Sequence, residues 1–145
     1  MGEIKTISVE RGATTLPTAG NTKHLFTVSD YIRVHKILGV VTTDIQAQAN
    51  DMKLVATGTT GAAVDLCVAG ETNGDAIGTM YSVTGDFSDA LIQATSSAME
   101  TDTETPPFIV APGYIDVHCA ATNTGAIKWT IIYSPVMASA TVSAA

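Results

Sequence analysis

Apolar and polar residues alternate in short runs along this chain, and Gly and Thr interrupt the runs almost everywhere. A period of two marks half-buried strands, whose side chains point in turn to opposite faces of a sheet. Long runs of helical period are scarce. "IKTISVE" predicts an edge strand, with Ile4, Thr6 and Ser8 on one face and Lys5, Ile7 and Val9 on the other. "RGATTLPTAGN" reads as a loop broken by Pro17 and Gly20. "KHLFTVS" and "YIRVHKILGVV" are the next strands. In the second, Ile32 and Val34 share a side while Tyr31, Arg33, His35 and Ile37 share the other, a conflict of phase that a bulge near Lys36 resolves.

"DIQAQANDMKLVATG" admits a helix capped by Asp44, because Ala and Gln favour one. Its apolar stripe (Ile45, Gln48, Ala49, Met52) is thin, and two strands, or one strand bulged near Asn50, fit better. "AAVDLCVAG" predicts a strand with Val64, Leu66 and Val68 on one face and Cys67 on the face of Asp65. "ETNGD" follows with Asn73-Gly74, a hairpin signal. "AIGTMYSVTG" and "DALIQATS" predict further strands. Residues Ser96 to Pro107 read as a solvated loop, with Pro107 opening the next strand.

"GYIDVHCAATNTGAIKWTIIYSP", Gly113 to Pro135, is the richest stretch. Ile115, Val117 and Cys119 predict a buried face, and Asp116, His118 and Ala120 an exposed one. "ATNTG" reverses the chain, with Asn123 and Gly125 suited to positive φ. Ile127, Trp129, Ile131 and Tyr133 then form the buried face of a return strand, with Lys128, Thr130, Ile132 and Ser134 outward. The pair reads as a hairpin supplying much of the core. The tail "VMASATVSAA" is small and apolar, and is expected to order against something else. In all, eight to ten strands with turn signals every 8–12 residues predict an all-β fold: an antiparallel β-sandwich, jelly-roll-like. One domain spans 1–145, with N-terminal (1–22) and C-terminal (135–145) segments offered for assembly.

Composition narrows the function. The 145 residues are 46% hydrophobic but only 14% charged, so the surface is built from Thr, Ser, Gly, Ala, Asn and Gln rather than ion pairs. A net charge of −7 with scattered Lys and Arg disfavours binding to a nucleic-acid backbone. No run approaches a membrane helix, and "MGEIKTISVE" does not read as a signal peptide, so synthesis in the cytosol is the default.

Candidate chemistry is sparse. Asp116 and His118 share a strand face and are potential partners for a hydrogen bond or a metal, while Cys119 faces away. His24, His35 and His118 are dispersed in sequence, and there is no "GxSxG" or "HExxH" pattern. Cys67 and Cys119 read as reduced packing residues, able to form a disulfide only if their strands are neighbours. The glycine-rich "TGTTGAA" and "TNGDAIG" lack the ending of a phosphate loop. Glu100, Asp102 and Glu104 lack the spacing of a calcium loop. The expectation is no enzyme, no catalytic or metal residues and no cofactor, with the interacting residues unassigned.

Residues 39–86, beginning "GVVTTDIQAQ", and the stretch "VAPGYIDVHCAATNTGAIKWTIIYSPVMASATVSAA" resemble small structural proteins of tailed bacteriophages and prophages. The likeness runs from about residue 25 to the end, carried by the "TNTGA-KW" reversal, "Y-P" and a Thr/Ala-rich tail. It implies a capsid decoration (cement) protein: a sandwich or jelly roll, a homotrimer at three-fold positions, bound to the major capsid protein on the outer surface of the virion. Two other readings compete. A tail, fibre or host-recognition module would bind a glycan or receptor through Tyr31, Tyr81 or Tyr114. A small jelly-roll metalloenzyme would need His24, His35 or His118 to meet a carboxylate in a cavity.

Overall fold

The computed structural model describes residues 5–95, 97–99 and 107–145. The strand face of Ile4, most of the loop from Ser96 to Pro107, and Glu100, Asp102 and Glu104 lie outside the described residues. Among the described residues twelve strands, more than the eight to ten expected, form two antiparallel sheets. The first sheet contains β1 (Ile7–Thr15), β3 (Ile32–Thr43), β7 (Met80–Ser82), β8 (Ile92–Ala94), β9 (Phe108–Val110) and β11 (Ala126–Pro135). The second contains β2 (Thr22–Val28), β4 (Asp51–Gly58), β5 (Val64–Asp65), β6 (Gly70–Glu71), β10 (Gly113–Cys119) and β12 (Val142–Ala144). Their orders are β1-β11-β3-β7-β8, with β9 also on β3, and β12-β2-β10-β4-β5, with β6 also on β4. Strands β1 to β4 thus alternate between sheets. The order β1-β11-β3-β7 facing β2-β10-β4-β5 is that of a jelly roll.

The core lies between the sheets. Ile127, Trp129, Ile131 and Tyr133 of β11 face Ile115, Val117 and Cys119 of β10, all buried as their alternation requires. A bulge on β3 settles the phase conflict: Lys36 pairs with Ile132 but Val34 with Tyr133, so His35 is the extra residue. Inward positions therefore switch from Ile32 and Val34 to Ile37, Gly39 and Val41. Gly39 is obligatory because a Cβ there would lie 2.6 Å from the Trp129 ring.

Several expectations need correction. β10 and β11 are not a hairpin, since they belong to different sheets and residues 120–125 arch between them. Gly125 takes φ +132°, but Asn123 does not take a positive φ. The buried Asn123 amide instead donates to the carbonyls of Gln46 and Gln48, tying the arch to the segment before β4. That segment, 44–50, is neither helix nor strand, and the strand begins only at Asp51. Asn73-Gly74 is a turn, with Gly74 at φ +69°, but it joins strands of opposite sheets. β1 runs on through Arg11 to Thr15, where a loop was expected, by bulging between Arg11 and Thr14. The tail orders on its own chain: Val142, Ser143 and Ala144 pair with Val28, Thr27 and Phe26.

"AAVDLCVAG" forms only the two residues of β5 and the first residue of β6, Gly70. Leu66 and Cys67 are both buried, while Val64 and Val68 are exposed. The alternation fails because Val68 leaves β4 to exchange backbone hydrogen bonds with residues 89–91. Cys67 and Cys119 are both free and buried, and β4 stands between their strands. Burial pushes both thiols up, Cys119 to about 11. Tyr81 is fully buried and donates to Asp75 Oδ2 at 2.5 Å; burial, then this bond, push its phenol upward as well.

These shifts fix a pH response. The unfolded chain ionises these groups before the folded one does, so it binds fewer protons, and stability falls as pH rises from the ordinary thiol value of 9.0 to about 11. Thermal melts at pH 7, 9 and 10.5 are expected to show a falling midpoint. A flat profile would contradict the burial of ionisable groups in this core.

Candidate functional site

The outward face of the second sheet carries the polar cluster nearest to a built site. Tyr114, Asp116 and His118 follow each other on β10, opposite Thr57, Val55 and Lys53 of β4. On the other side, Asp116 pairs with His24 of β2, across a bulge at Leu25. Asp116 points outward as expected, but it is only 1% exposed. Its carboxylate is covered by partners from both flanking strands. His24 Nδ1 lies 2.6 Å from Oδ1, and the Thr57 hydroxyl donates to Oδ2 at 2.8 Å. Because a carboxylate only accepts, the proton on this face of the imidazole sits on Nδ1. The His24 ring, half-exposed, stacks on Tyr114 with centroids 3.8 Å apart and planes 12° from parallel.

This arrangement orients an imidazole as a histidine–carboxylate pair does, leaving Nε2 for solvent. The Thr57 hydroxyl gives its proton to Asp116, so it is not presented to the imidazole as a nucleophile. What the geometry does is tie β2, β10 and β4 together across their outer face. Asp116→Ala removes both bonds and leaves the Thr57 hydroxyl without its acceptor. We expect it to cost about 1.5–3 kcal/mol, the range for hydrogen bonds to a charged group, with Asp116→Asn losing less. Urea denaturation of the two variants checks this, and equal losses would point to packing rather than charge.

His118 does not join this cluster. It is half-buried and helps line a depression of about 380 Å³ with Asp51, Lys53, Asp65, Val68 and Phe87. Lys53 Nζ and Asp65 Oδ2 form an ion pair at 2.9 Å. His35 lies on the first sheet, where its Nε2 contacts Ser134 Oγ at 2.8 Å. Among the described residues, no group of three His, Cys, Asp or Glu is placed to hold a metal ion. Of the three tyrosines singled out, Tyr31 and Tyr114 are exposed and Tyr81 is buried. No family model, curated protein or solved structure matches this chain.

Sequence reasoning singled out Asp116 and His24 but paired Asp116 with His118 instead, and it missed Thr57. His24 and Thr57 are 92 and 59 residues away along the chain, and only the pairing of β10 with both β2 and β4 brings them in. Phe87 was also missed. It sits in "GDFSDA", and its signal was a lone aromatic residue in a polar turn.

Proposed function

We propose that this chain is a non-enzymatic structural protein of a bacteriophage virion, decorating the outer capsid surface as a homotrimer at three-fold positions on the major capsid protein. The support is the resemblance to small phage structural proteins over residues 39–86 and 110–145. Those residues supply β4 and β10, the last five residues of β3 from Gly39 to Thr43, and β11 and β12. A jelly roll with few charges suits close packing against other subunits. Light scattering coupled to size exclusion is expected to give three times 15.0 kDa, and the protein is expected to bind emptied, expanded capsids saturably but not free capsid subunits. A monomer that ignores shells would overturn the reading.

One observation favours host recognition as a second reading. Tyr114 and His24 present a stacked, partly exposed pair beside a carboxylate, a surface of mixed aromatic and polar character. A glycan-array signal lost in Tyr114→Ala would move the assignment there.

A further inference from the structure

The second sheet ends abruptly beside β4. β5 and β6 pair with only Val55, Ala56, Asp51 and Met52, and the chain then leaves the sheet edge. The first sheet extends further, through β7 and β8, and β9 runs alongside on β3. The side chains at this rim are apolar and poorly covered: Val64 is 48% exposed, Val68 52%, Phe87 38% and Ile109 55%. Two depressions meet at Phe87. One, of about 300 Å³, is lined by Ala56, Val64, Leu66, Ile109 and Val110. The other is the depression of about 380 Å³ containing Asp51, Lys53, Asp65, Val68 and His118. Phe87 itself is braced edge-on against Phe108 at 5.3 Å, so the junction has a fixed wall. A contiguous apolar surface with a polar border is how interaction sites announce themselves.

The border is acidic. Asp51 and Asp65 line one depression. Asp86 and Asp89 flank Phe87, and the Asp89 carbonyl accepts from the Val68 amide. Two hydrogen bonds from Ser88 hold the Asp86 carboxyl below its ordinary range, so it stays charged. The cations at this rim are Lys53, already paired with Asp65, and Arg33, across from Ile109. A second copy offering the same face would oppose carboxylate to carboxylate, in a chain whose net charge is −7.

We propose that this trough is a docking surface for a segment of another protein that carries two apolar anchors flanked by Lys or Arg. One anchor fills the depression between Val64 and Ile109, the other lies on Val68 and Phe87, and the flanking cations meet Asp51, Asp86 and Asp89. Such a segment need not belong to a capsid, so the surface is testable apart from that reading.

The test is selection of a displayed random dodecapeptide library on the full-length protein, followed by affinity measurements on the peptides recovered. Recovered sequences should combine aliphatic or aromatic residues with Lys or Arg. Their binding should weaken at least tenfold on Ile109→Asp and on Asp51→Lys, two exposed positions, and should weaken with salt. Three results would overturn the proposal: no enrichment, enrichment of acidic or uncharged sequences, or binding indifferent to both substitutions. A drop in solution mass on Ile109→Asp would do so too, because it would make the trough a contact between copies of this chain.

Discussion

Trp129→Ala is expected to lower the free energy of unfolding by about 3–5 kcal/mol, the range for deleting a large aromatic side chain from a close-packed core. Trp129 is 1% exposed at the middle of β11, pairing with Gly39 on one side and Arg11 on the other. Its ring fills the space that Gly39 leaves and stacks on Tyr81 at a centroid distance of 6.4 Å. Neither neighbour can close the resulting void, because Gly39 has no side chain and Tyr81 is held by Asp75. Equilibrium denaturation measures the loss, and a value below about 1 kcal/mol would mean that the core does not depend on this ring.

Gly113→Ala should be comparably damaging by a different route. Gly113 opens β10 at φ +146°, a conformation that L side chains rarely adopt. A Cβ there would lie 2.2 Å from the Thr57 carbonyl oxygen and 2.7 Å from the Gly58 Cα, both backbone atoms of the adjacent strand. Relief requires β4 and β10 to separate at the end where Tyr114 and Thr57 flank the Asp116 cluster. Backbone strain and overpacking together predict a cost of about 3 kcal/mol or more. Gly12→Ala is the matched control, since its Cβ would meet nothing within 4 Å. A similar loss in both variants would show that the effect is not the close approach of β4.

The sequence made some parts of this fold plain and hid others for identifiable reasons. The inward faces of β10 and β11 were legible because alternation is strict where each strand is paired on both sides and one face meets the core. The bulge at His35 was legible because it breaks that alternation. Sheet membership was not. An Asn-Gly turn or a Thr-rich reversal specifies a local change of direction, and the same turn serves a hairpin or an arch between sheets. The burial of Asp116 was hidden as well: a carboxylate on an outward position looks solvated until distant residues cap it. "AAVDLCVAG" misled because edge strands are not held to a period of two. There, short pairings with β4 and residues 89–91 let Leu66 and Cys67 both turn inward.

The wrapping of the chain also dictates when it can fold. Ile7 meets Tyr133, Thr22 meets His118 and Ile32 meets Pro135, so β1 and β2 find their partners, and β3 its longest one, only near the far end of the sequence. On a ribosome, β1 to β3 emerge first and must wait, unpaired on these edges, until β10 and β11 have left the exit tunnel. Closing such large loops before any sheet forms is slow. Assembly of the sandwich is therefore a late, concerted event, and the apolar strands that wait longest are the ones a chaperone would have to cover.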